Sequence, residues 1–92
     1  MSRKRERLEI IRDVLLAIRN KGKEVRPTHI LYKSNLSSDM LKQYLGELIK
    51  NGFVVEERDK KNNKLYSLLP KGFNYLKDYS VIKGFMESYG LE

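Results

Sequence analysis

Apolar residues near the start of the chain recur at Leu8, Ile11, Leu15 and Ile18, three or four apart, with polar residues between them. That spacing predicts an amphipathic helix over residues 5–20. Ile10, Val14 and Ala17 add a second apolar strip, so this helix is expected to be covered from two sides. Lys21-Gly22-Lys23 ends it, with Gly22 as a left-handed cap. Glu24-Val25-Arg26 has room for a single strand-like step. Pro27 opens a short second helix to about Ser34, because its missing N–H is no loss at a first helical position. Ser34-Asn35-Leu36-Ser37 reads as a turn. Ser37 then caps a third helix over residues 38–51, with Asp39 complementing the dipole and Leu36 stapling onto Leu41. Gly52 ends that helix.

After Gly52 the pattern shifts to short β-rich runs. Residues 53–58 and 65–68 read as strands joined by the polar loop 59–64, where Asn62-Asn63 tolerates the positive φ of a hairpin turn. Pro70 opens a last helix to about Tyr89, which Gly84 is expected to loosen or bend. The predicted fold class is mainly α with a small β-hairpin (α+β). Two helices joined by a tight turn and followed by a basic hairpin describe a winged helix-turn-helix, here with an added C-terminal helix. Residues 1–69 are expected to form the winged helix-turn-helix and residues 70–92 a dimerisation helix. Ninety-two residues leave space for one hydrophobic core.

On a helical wheel, Leu41, Tyr44, Leu45, Leu48 and Ile49 share one side of the third helix. Asp39, Gln43, Gly46 and Lys50 lie opposite, flanked by Lys42 and Glu47. A helix packed underneath and polar outside can enter a major groove. Gln43 suits adenine, and Lys42 or Lys50 suits guanine or phosphate. Ser37 and Ser38 stand where backbone N–H groups can hold a phosphate. Asp39 and Glu47 oppose this, since both repel phosphate. A merely solvated polar face remains the plain alternative.

Charge strengthens the polyanion reading. The net charge is +7, and its distribution is uneven. Residues 1–26 hold nine Lys/Arg against four Asp/Glu, residues 27–64 seven against five, and residues 65–92 three against three. A basic body with a neutral, aromatic tail suggests nucleic acid for the first and a protein partner for the second. Arg58, Lys60, Lys61, Asn62 and Lys64 surround the hairpin tip, where they can meet phosphates or the minor groove. Arg3, Lys4, Arg5 and Arg7 crowd the positive end of the first helix dipole. That placement disfavours a local stabilising role and favours phosphate contact.

In the tail, Tyr75, Tyr79, Ile82, Met86 and Tyr89 are spaced four, three, four, three. This is an a/d seam, and it predicts a symmetric antiparallel homodimer. The alternative is that these residues close over their own domain.

Cys is absent and His29 is the only histidine, so no metal site or cofactor is expected. No nucleophile–base pair or phosphate loop is evident, and the chain is expected not to be an enzyme. No small-molecule effector is evident either. The N-terminus lacks a secretion signal and no apolar run is long enough to span a membrane, so an intracellular setting is expected. A protein-docking module and an RNA binder using Tyr32, Tyr44 and Tyr66 stay open beside duplex binding.

Ile30-Leu31-Tyr32-Lys33-Ser34-Asn35-Leu36-Ser37 resembles the helix-turn of a family of archaeal winged-helix regulators. Leu41-Lys42-Gln43-Tyr44-Leu45 with Leu48, then Asn51-Gly52-Phe53-Val54, is similar in the same way. So are Leu65-Tyr66-Ser67-Leu68 and Lys71-Gly72. The family includes the small dimeric chromatin-type DNA-binding proteins of Sulfolobus. The resemblance implies double-stranded DNA as partner, C-terminal helices paired as an antiparallel coiled coil, and a cytoplasmic, nucleoid-associated protein. It does not decide between a site-specific transcriptional regulator, which the outer face of the third helix favours, a non-specific architectural protein, and a viral or plasmid relative. Leu69-Pro70 stands where the family commonly has a Thr cap, and the last helix is short for the family's coil.

Overall fold

The computed structural model describes residues 5–91. In chain order they form α1 (Arg7–Lys21), α2 (Pro27–Ser34), α3 (Ser38–Lys50), β1 (Val54–Arg58), β2 (Lys64–Leu68) and α4 (Pro70–Ser88). The expected order is therefore observed. Helix α1 is central and touches α2, α4 and β2. Its Val14, Leu15 and Ile18 are fully buried, and they meet Ile30 of α2, Leu41, Leu45 and Leu48 of α3, Val54 of β1, Tyr66 of β2 and Leu76 of α4 in one cluster. The covering from two sides expected of α1 is found, with one exception. Leu8 is 56% exposed and lies outside the core.

Two connections depart from expectation. Gly22 has φ 113° and ψ −112°, which is not the left-handed helical cap. Its N–H still bonds the Ile18 carbonyl at 2.9 Å. The chain must turn sharply there to lay Val25 beside β2. Val25 and Tyr66 exchange two backbone hydrogen bonds of 2.8 Å, an isolated bridge that fulfils the single strand-like step. The first strand begins at Val54, because the Phe53 N–H is drawn back to the Leu48 carbonyl at 2.9 Å to close α3.

Strands β1 and β2 pair antiparallel, with Glu56 opposite Tyr66 and Arg58 opposite Lys64. Helix α4 starts on Leu69 without a side-chain cap. It is held instead by Lys71, whose ammonium donates to the Asn51 carbonyl at 2.9 Å and sits 4.8 Å from the Phe53 ring centre. Leu76 is buried, whereas every residue from Ser80 to Leu91 is exposed. The helix passes through Gly84 without a break.

Candidate nucleic-acid interface

Helix α3 has the amphipathic division that its wheel predicts. Leu41, Leu45 and Leu48 are buried, and Tyr44 and Ile49 are half-buried. Asp39, Lys42, Gln43, Gly46, Glu47 and Lys50 are exposed. Ser37 caps the helix, its hydroxyl accepting from the Met40 N–H at 3.2 Å. Ser37 and Ser38 are both exposed at this end. A Cβ built on Gly46 would meet nothing within 4 Å, so the outer surface of α3 is open there.

The hairpin tip is more ordered than a flexible basic loop. Asp59 accepts from the Lys61 N–H at 2.9 Å, the Asn63 N–H at 2.8 Å and the Asn63 side-chain amide at 3.2 Å. Asn62 takes the positive φ, 67°, while Asn63 does not. Arg58 donates to the Asn62 carbonyl at 3.2 Å, so these two predicted contacts bind each other. Lys60, Lys61 and Lys64 are exposed around them. Lys42 of α3 and Lys64 of β2 border the same cleft, together with Glu56 of β1.

The role of Asp59 was missing from the sequence reading, although an Asp two and four residues before amide donors is a turn signal. The Asn63 amide holds its carboxyl below the usual aspartate range, helped by the Asn63 side chain, the Lys61 amide and the Arg26 guanidinium. A depressed folded value means that this ordering is present above the ordinary aspartate range. It is lost as pH falls through the folded value, below about 3.9. Asp59→Ala is expected to speed hydrogen exchange at the Lys61 and Asn63 amides by about fivefold or more at neutral pH. Exchange equal to that of the unaltered protein would show that Asp59 does not order the tip.

The N-terminal basic cluster divides. Arg3 and Lys4 lie outside the described residues. Arg5 donates to Asp13 at 2.9 Å and to the carbonyls of Ser34 and Asn35 at 2.6 and 3.0 Å. It therefore closes the C-terminal end of α2, where a cation is favoured. Arg7 bonds Glu47 and stacks on the Tyr44 ring, 5.5 Å from its centre. Glu47 holds the Arg7 guanidinium still more firmly protonated. The expectation that local stability cannot account for this cluster is corrected for both residues. It considered only their own helix end and overlooked partners about 30 and 40 positions away.

The tail also divides. Tyr75 packs edge-on against Phe53, and its hydroxyl donates to the Leu8 carbonyl at 3.0 Å. Tyr79 stacks on Tyr75 and faces the Arg12 guanidinium, 5.6 Å from its ring centre. These first two seam positions are occupied by the chain's own body. Ile82, Met86 and Tyr89 are 60%, 43% and 70% exposed, with Val81, Phe85 and Leu91 open beside them.

The sequence matches the winged helix-turn-helix family model over residues 4–87. The chain belongs to the winged helix-turn-helix family. This winged helix is similar in fold to Sso10a-2, a DNA-binding protein from Sulfolobus solfataricus, with a TM-score of 0.79 and 22% identity over 94% of this chain and 87% of that one. It is also similar to the PcaV transcriptional regulator from Streptomyces coelicolor, with a TM-score of 0.77 and 17% identity over 88% of this chain and 58% of the other. A protein of Methanocaldococcus jannaschii is 37% identical over 69 residues, which span 75% of this chain and 29% of that relative's length. The archaeal winged-helix resemblance agrees with these findings. Among the described residues, no helix is long and apolar enough to cross a membrane, and no group of three His, Asp or Glu side chains could hold a metal ion.

Proposed function

We propose that this winged helix binds double-stranded DNA as a homodimer and acts as a transcriptional regulator. The observation that carries the reading is the outer face of α3, where Lys42, Gln43 and Lys50 stand exposed beside a wing bearing Lys60, Lys61 and Lys64. A packed underside makes the helix rigid, and the exposed cations and amide give it phosphate and base-edge contacts. Ser37, Ser38 and Asp39 lie at the start of the same helix, with Arg58 and Asn62 fixed at the wing. Arg5 serves the turn instead. The Sulfolobus and Streptomyces neighbours, a DNA-binding protein and a transcriptional regulator, support the reading. A titration of duplex against salt tests it. If about six phosphates are neutralised per dimer, log K falls with log salt at a slope of roughly −5. Absent or salt-insensitive binding would overturn it.

The dimer reading rests on the exposed half of α4. Six large apolar side chains lie within residues 81–91, and Phe85 and Tyr89 stack with ring centres 5.9 Å apart. A second copy of the same helix buries them symmetrically, and residues 70–92 then form the dimerisation element. Ile82→Glu combined with Met86→Glu is expected to give monomers in sedimentation. Both sites are exposed within one chain, so the monomer fold should change by only about 0.5 kcal/mol. Affinity for a two-half-site duplex should fall about 10²-fold or more as linkage between the half-sites is lost. Unchanged dimer mass would refute this interface.

A further inference from the structure

Between α2, α3 and the hairpin the fold leaves a cleft of about 470 Å³. That volume lies in the range of small-molecule sites. Leu31, Leu45 and Ile49 contribute apolar walls from two helices, and Gly46 leaves the α3 side without a side chain. Tyr66 lines the cleft from the hairpin, its hydroxyl donating to the Glu56 carboxylate at 3.0 Å. Lys42 and Lys64 supply two cations from opposite elements. The two lysines and one glutamate give the lining a net charge of +1. One monoanion would leave the occupied cleft neutral, whereas a dianion would add repulsion from Glu56. Besides Tyr66, Thr28 and Ser38 are the uncharged polar residues of the lining; against the apolar walls a hydrocarbon-rich body fits, because an unpaired polar group there would lose its hydration.

We propose that this cleft binds a hydrophobic monocarboxylate, with the carboxylate attracted by Lys42 and Lys64 and the hydrocarbon body against Leu31, Leu45 and Ile49. Binding does not depend on the DNA reading. Its consequence does: Lys42 and Lys64 belong to the proposed duplex surface, so on that reading the acid and the duplex compete for the same cations, each weakening the other.

The test is a backbone amide NMR titration of the full chain with 2-naphthoate. With about thirteen heavy atoms, a Kd on the order of 0.1–1 mM is expected, with saturable shifts at Leu31, Lys42, Gly46 and Ile49. Neutral 2-naphthamide and dianionic 2-naphthyl phosphate should each bind at least about fivefold more weakly, as follows from losing the charge match. Gly46→Leu places a side chain in the cleft and should abolish the shifts. Lys42→Gln with Lys64→Gln leaves the cleft open and should erase the preference for acid over amide. No saturable shift, equal binding of the amide, or a response retained in Gly46→Leu would each overturn the proposal. If Gly46→Leu does not fold, the lysine pair decides. Adding 2-naphthoate should also weaken duplex binding by the unaltered protein. A protein that binds naphthoate but never binds duplex would sustain the cleft and refute the DNA reading instead.

Discussion

Alanine at Lys42, Gln43 and Lys50 together is expected to lower affinity for a specific duplex site on the order of 10³-fold while leaving the fold intact. The lysines and the glutamine contribute differently. Each bidentate amide–adenine contact discriminates by about 1–3 kcal/mol, and a dimer makes it twice. Each lysine acts through phosphate and counterion release, so removing four per dimer should flatten the salt slope by about 3–4. Random duplex should lose only the lysine part, on the order of tenfold to hundredfold. All three side chains are exposed, so thermal stability should shift by about 0.5 kcal/mol or less. A triple variant that keeps both its affinity and its salt slope would place the duplex elsewhere. The Arg7–Glu47 pair bears on this result. The sequence puts two carboxylates on the outer face of α3, and the structure pairs one of them with a cation from α1. Only Asp39 remains opposed to phosphate, at the helix end where its charge complements the dipole.

Most of the architecture was legible because local chemistry and long-range packing agree. Pro27 and Pro70 stand at first helical positions, Ser37 caps α3, and the apolar spacing of α3 separates its buried and exposed faces as observed. What stayed hidden depends on partners far along the chain. Nothing near Arg5 announces the carbonyls of Ser34 and Asn35, and nothing near Arg7 announces Tyr44. The four-three spacing of the tail marks an apolar stripe but not what covers it. In the fold, one stripe meets two surroundings: Tyr75 and Tyr79 turn onto Phe53 and Arg12, while Ile82, Met86 and Tyr89 run past the end of the domain. The cleft beside α3 was illegible for the same reason. Its walls come from three elements that are brought together only by the packing of α2 and the hairpin around α3.

Gly72→Ala is expected to destabilise the fold, because Gly72 alone among the six glycines has no room for a Cβ. A Cβ at that position would lie 2.7 Å from the Phe53 carbonyl oxygen and 2.7 Å from the Leu68 Cδ1 atom. Leu68 can rotate, but the Phe53 oxygen is fixed, because it accepts the Leu69 N–H at 2.9 Å where the chain enters α4. The strain must therefore push α4 away from the wing. This requirement explains the Lys71-Gly72 pair at the helix entry: the lysine pulls the helix onto the end of α3, and the glycine lets it approach. Overpacking of this kind costs about 1–3 kcal/mol, a fall in Tm of about 5–20 °C for a domain of this size. Gly84→Ala is the internal control, since a Cβ there meets nothing within 4 Å and alanine favours helix by about 1 kcal/mol. Thermal denaturation of the two variants should move Tm in opposite directions. If Gly72→Ala melts with or above the unaltered protein, α4 is not held by close approach at Gly72. The placement of its exposed apolar half, on which the proposed dimer depends, would then need another cause.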